Sequence, residues 1–119
     1  MKLKGMKVLY NAEAHFTLRE KFGEENLAQV LIDGGRKGFD MLCEVLSEVQ
    51  NQAELYRRRE GYDKGRLLSP ADIQQELLPS QYAEAVNLVL TAMAKGMTLP
   101  EDPEEEVDEV LEALKEKNA

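Results

Sequence analysis

A mainly α-helical fold, one small domain around a single long helix, is predicted by three features of the sequence. From Arg36 to Arg59 apolar residues recur at steps of three and four, with no proline and one glycine, Gly38, near the start. Ser69-Pro70-Ala71-Asp72 reads as a helix start, with a capping serine, proline in the first turn and an acid three residues on. Glycines and prolines fall between the apolar stretches rather than inside them. A short N-terminal β-strand or hairpin and a C-terminal amphipathic acidic helix complete the expectation.

The central helix places Phe39, Leu42, Cys43, Leu46, Val49, Ala53 and Tyr56 on one face. Met41, Val45 and Leu55 broaden that face beyond a coiled-coil seam, so several neighbours can pack on it. Its length is roughly 36 Å, about the width of a small domain.

Before it, Lys2 to Tyr10 alternates loosely between basic and apolar residues, and Val8-Leu9-Tyr10 favours a strand. Asn11 is a good cap for a helix over Ala12–Phe22, stopped by Gly23. A shorter helix is expected over Glu25–Ile32, ended by Asp33-Gly34-Gly35. After the central helix comes a loop, Gly61 to Gly65. The Ser69 helix runs to about Leu77, Pro79 restarts the chain, and Ser80–Lys95 forms a longer helix that Gly96 terminates. The predicted body is thus residues 1–97, followed by a linker over 98–103 and an acidic tail over 104–119.

Charge follows the same division. The 119 residues hold 23 acids and 15 bases, a net of −8; residues 101–119 hold nine and two of these, a net of −7. That leaves 14 acids and 13 bases in residues 1–100, a near-neutral body with no whole-chain footprint for phosphate backbones. In the tail, Val107, Val110, Leu111 and Leu114 form an apolar stripe. Three readings of it stand side by side: it packs on the body, it contacts a partner, or it is disordered.

Chemistry-bearing residues are few. His15 is the sole histidine, and its sequence neighbours suggest no acid or nucleophile. Cys43 lies on the apolar stripe, where cysteine acts as a small hydrophobe, and it has no disulfide partner within the chain. Neither a zinc set, a phosphate loop nor an EF-hand order is present, so no catalytic residue, cofactor or metal is expected. Arg57-Arg58-Arg59 fans around the end of the central helix, where the dipole favours cations and Glu54, Glu60 or Asp63 can pair with them. Together with the absence of an apolar run of membrane length, this points to a soluble, cytoplasmic protein with no membrane or nucleic-acid partner.

Three stretches carry a resemblance. They are Leu9-Tyr10-Asn11-Ala12-Glu13-Ala14-His15-Phe16-Thr17-Leu18-Arg19-Glu20-Lys21-Phe22-Gly23, the central helix running into Tyr56-Arg57-Arg58-Arg59-Glu60-Gly61-Tyr62, and Leu68-Ser69-Pro70-Ala71-Asp72-Ile73 with Leu78-Pro79-Ser80-Gln81-Tyr82. In order and spacing the chain resembles the tail assembly chaperones of long-tailed bacteriophages and prophages. Leu78 departs from that pattern, because a capping Thr or Ser is the more natural residue before Pro79.

The resemblance implies a non-enzymatic protein in the cytoplasm of a bacterial host. Such a protein binds the long helical tape-measure protein and keeps it soluble until tail-tube subunits assemble around it. In many such systems a frameshifted C-terminal extension recruits the tail-tube protein. Self-association is left open. The partner-binding candidates are Val107, Val110, Leu111, Leu114, Tyr56 and Tyr62; Tyr82 reads as a core or rim residue. Two other functions compete: a structural minor tail or head–tail connector protein, and a small nucleic-acid-binding regulator using Arg57–Arg59 and the lysine-rich start. The codons of Glu116-Lys117-Asn118 test one implication. An unbroken A-AAA-AAC tract followed by an open −1 frame supports a frameshifted extension, and an interrupted tract removes it.

Overall fold

The computed structural model describes residues 1–99, and the helices in it begin where side chains can cap them. Helix α1, Ala12–Phe22, is capped by Asn11, whose side-chain oxygen accepts from the Ala14 amide at 2.9 Å. Helix α2, Leu27–Asp33, starts two residues later than the pattern suggests because Asn26 is the cap, accepting from the Gln29 amide at 3.1 Å. Gly34 and Gly35, with φ of 74° and 69°, turn the chain into α3, Gly35–Arg59. In α4, Pro70–Glu76, both halves of the capping box form: Asp72 N–H donates to Ser69 Oγ and Ser69 N–H to Asp72 Oδ2. A 3₁₀ turn, Pro79–Gln81, leads into α5, Tyr82–Met97. Leu78 has no oxygen to cap that turn; the Gln81 side chain accepts from its amide at 2.9 Å and also donates to the Met1 carbonyl.

Helix α3 is the axis of the bundle and packs against α1, α2, α4 and α5. Met41 and Val45 are buried along with Leu42, Cys43, Leu46 and Val49, so the face is as broad as the sequence implies. Burial fades at the end, where Leu55 and Tyr56 are exposed because the last turn meets the loop that follows it rather than another helix. Leu18 from α1, Leu31 from α2, Ile73 from α4 and Val89 from α5 fill the core around α3.

The N-terminal strand or hairpin is not formed; among the described residues there is no strand. Residues 1–11 run extended over the helices, with a turn at Gly5 in which the Met6 amide donates to the Leu3 carbonyl at 3.0 Å. A ladder needs a second extended chain, and here the neighbour is a helix. The segment therefore makes one backbone bond to it, Leu9 N–H to Val49 O at 2.9 Å, and buries Leu3 and Tyr10 singly.

Gly96 is also not the stop signal it resembles. It lies inside α5, where an added Cβ would fall on the Tyr10 carbonyl oxygen and ring. Glycine is required there by the close approach of the N-terminal segment. Gly38 does similar service in α3: a Cβ would sit 2.9 Å from the Val30 carbonyl oxygen. Residues 100–119, with the acidic tail, its stripe Val107, Val110, Leu111 and Leu114, and all but the start of the 98–103 linker, lie outside the described residues.

Helix propensity alone says that Gly96→Ala should stabilise the chain by about 1 kcal/mol. The packing against Tyr10 says the reverse, a loss of about 1–3 kcal/mol from forced displacement. Urea unfolding of the variant gives the sign, and a raised midpoint would overturn the close-approach assignment.

Candidate partner-binding surface

The surface around the C-terminal end of α3 is built by a polar row on that helix. Ser47, Gln50, Asn51 and Glu54 follow the i, i+3, i+4, i+7 spacing of a single face. The row grips the chain as it returns from the loop. Ser47 Oγ donates to the Leu68 carbonyl at 2.6 Å, and the Leu68 amide donates to the side-chain oxygens of Gln50 and Asn51 at 2.9 and 3.2 Å. Gln50 Nε2 donates to the Arg66 carbonyl at 2.8 Å.

Glu54 closes the row. Only 5% exposed, it accepts from the Gly65 amide at 2.5 Å, from Arg57 at 2.7 Å and from Arg58 Nε at 3.0 Å. A Cβ on Gly65 would sit 2.8 Å from its carboxylate oxygen, so the loop backbone passes directly over the carboxylate. The Gly65 amide, then the two guanidinium groups, hold the Glu54 carboxyl below the ordinary carboxylate range against the opposing effect of burial. Of the acids that could have paired with the arginine triplet, Glu54 is the one that takes Arg57 and Arg58.

The helix then ends in a Schellman motif. The Gly61 amide donates to Arg58 O and the Tyr62 amide to Arg57 O, both at 3.1 Å, with Gly61 at φ 96°. This turns Tyr62 back so that the Arg57 guanidinium lies 5.3 Å from its ring centroid. Tyr62 is 63% exposed and Tyr56 55%, so both sequence candidates on the described body are accessible at this end. Tyr82 is half-buried, and its hydroxyl donates to the Leu31 carbonyl at the end of α2 at 2.7 Å.

Two concave regions flank this scaffold. An apolar notch of about 360 Å³ is framed by Phe39, Leu77, Leu78, Pro79 and Tyr82. Leu78 stands 56% exposed at it, and Arg36 covers the Phe39 ring at 5.6 Å. A cleft of about 530 Å³ brings Lys2, Lys4 and Lys7 beside Arg57 and Arg66, with Glu54 and Gln50 also in its wall. The sequence candidates Arg58 and Arg59 are not in that wall; Arg58 donates to Glu54 and to the Gly65 carbonyl. Arg66 is held by Glu76 at 2.6 Å and Asp72 at 3.5 Å.

The remaining chemical candidates are placed in packing roles. Cys43 is fully buried and its thiol is pushed up to about 11, first by burial and then by Asp40 and Glu44. His15 Nδ1 lies 2.7 Å from Tyr10 Oη, and its ring meets those of Tyr10 and Phe16 edge-on. Among the described residues no cluster of three His, Cys, Asp or Glu side chains is arranged to hold a metal ion, and no helix is long and apolar enough to cross a membrane. No protein-family model, curated protein or solved structure matches the chain.

The Glu54 arrangement has a pH signature. A carboxyl whose folded pKa is depressed stabilises the fold fully above its unfolded value, ~4.3, and loses that contribution as pH falls through the folded value. Asp72, lowered chiefly by the Ser69 amide, adds in the same direction. Glu54→Gln should therefore lower the urea midpoint at pH 7, and its curve should approach that of the parent below pH ~4. Equal midpoints at pH 7 would remove Glu54 from its anchoring role.

Proposed function

We propose that the chain is a non-enzymatic assembly chaperone of the phage-tail class, holding the helical tape-measure protein before tube subunits enclose it. The resemblance supplies the class. The observation that supports it on the body is the apolar notch framed by Phe39, Leu77, Leu78, Pro79 and Tyr82, open at the surface beside α3.

A notch of this size accepts one or two large apolar side chains, the way an amphipathic helix presents them at i and i+4. Leu78 is held out by the Gln81–Leu78 turn, so its exposure follows from backbone geometry. The exposed Tyr56 and Tyr62 offer a second, more polar contact at the end of α3, where an aromatic body and a polar tip suit a transient interface. Arg57 and Arg58 are engaged by Glu54, and Arg66 by Glu76 and Asp72, which weighs against the regulator reading that needs them for phosphates.

Co-expression tests this directly. The chain should raise the soluble yield of a co-expressed tape-measure protein. Leu78→Glu should abolish most of that gain while leaving the thermal midpoint within ~2 °C, since the side chain is exposed. Tyr56→Ala/Tyr62→Ala should weaken it less. An unchanged yield with the parent chain counts against the chaperone reading, and detection of the chain in purified particles favours the structural tail or connector protein instead.

A further inference from the structure

We infer that the basic cleft formed by Lys2, Lys4, Lys7, Arg57 and Arg66 is a docking site for an acidic peptide, and that its occupant is the chain's own segment 101–119.

Charge is the first ground. Of the five cations in the cleft wall, Arg57 is paired with Glu54 and Arg66 with Glu76 and Asp72, so its unneutralised positive charge is that of Lys2, Lys4 and Lys7, whereas the body as a whole is near neutral. Lys2, Lys4 and Lys7 are exposed and make no ion pair among the described residues, unlike Lys21 and Lys37, which are paired with Glu44 and Glu25. The segment supplies nine carboxylates against two amines. An external polyanion would meet a net charge of −8, while the segment brings its share of that charge with it.

Reach is the second. Gly96 abuts Tyr10. Leu99 lies three residues beyond Gly96 and Lys7 three before Tyr10, so each leg spans at most roughly 11 Å. The 19-residue segment covers roughly 28 Å even if wound as a helix, and more if extended. A tether this short holds the segment near the cleft at an effective concentration of order millimolar, so weak individual ion pairs suffice. The inference is independent of what the apolar notch binds.

Zero-length carbodiimide cross-linking of the full chain at about 20 mM salt, with peptide mapping, reads the contact. Lys21–Glu44 and Lys37–Glu25 serve as internal positive controls, at 2.7 and 2.6 Å. Carboxylates of 101–119 should join Lys2, Lys4 or Lys7 at least about fivefold more than Lys95, and the excess should vanish near 0.5 M salt, where the screening length is only ~4 Å. Lys95 is the discriminating reference, because a segment guided by its tether alone would reach that nearby lysine first. Mixing isotopically light and heavy chains separates internal from intermolecular links. As a second readout, the Gly5, Met6 and Lys7 amide resonances should move with salt in the parent, and not in the Lys2→Gln/Lys4→Gln/Lys7→Gln variant, whose changes are all at exposed positions. Links favouring Lys95, links only between molecules, or a cleft that instead takes a DNA duplex at the same salt would each overturn the assignment.

Discussion

The hydrogen bonds that tie Ser47, Gln50, Asn51 and Glu54 to residues 65–68 are what the chain between α3 and α4 depends on. A stretch of backbone laid against a helix has no ladder to join, and a buried peptide group without a partner costs about 1–3 kcal/mol. Helix α3 solves this with side chains. One of its faces buries leucines and valines, and an adjacent face offers carbonyl, amide and carboxylate groups to a chain that passes over it. Ser69 follows at once, so the grip on Leu68 fixes where the cap of α4 stands. The position of α4 then sets Leu77 and Leu78, and with them the notch.

The same helix receives a second extended segment near its middle, where Leu9 bonds the Val49 carbonyl. That segment reaches the end of the bundle through Tyr10 on Gly96 and the α4–α5 corner through Met1 on Gln81. Two strand-like pieces thus lie along a helix without pairing with each other. The N-terminal one carries Lys2, Lys4 and Lys7 into the cleft and, farther along, forms with α5 a hollow lined by Val8, Leu9, Leu88 and Ala92.

Much of this was legible in the sequence. Asn11, Ser69 with Asp72, and the glycines at 23 and 34–35 act within a few residues of themselves, and the ends of α1, α3 and α4 fall within one residue of where those signals point. The N-terminal segment was misread because Val8-Leu9-Tyr10 reports a preference for extended backbone but cannot report whether a partner strand exists. Gly96 was misread for a related reason: a glycine needed for close approach and one needed for a turn look the same in one dimension. The polar row was the signal left unused. Its spacing from Ser47 to Glu54 is visible in the sequence, yet polar residues at helical period usually mean solvent, and only the returning backbone shows otherwise. The notch and the cleft were beyond reach, since each joins residues more than 30 positions apart.

The polar row also imposes an order in time. Ser47, Gln50, Asn51 and Glu54 share a face only after α3 has wound, so the segment from Gly65 to Leu68 has nothing to dock on until then. It is bound by a handful of hydrogen bonds and buries little besides Leu68. Few buried apolar contacts are the mark of a unit whose local stability is lower than that of the helical core. The molecule therefore joins a helical axis to a collar whose binding face exists only once that axis has formed.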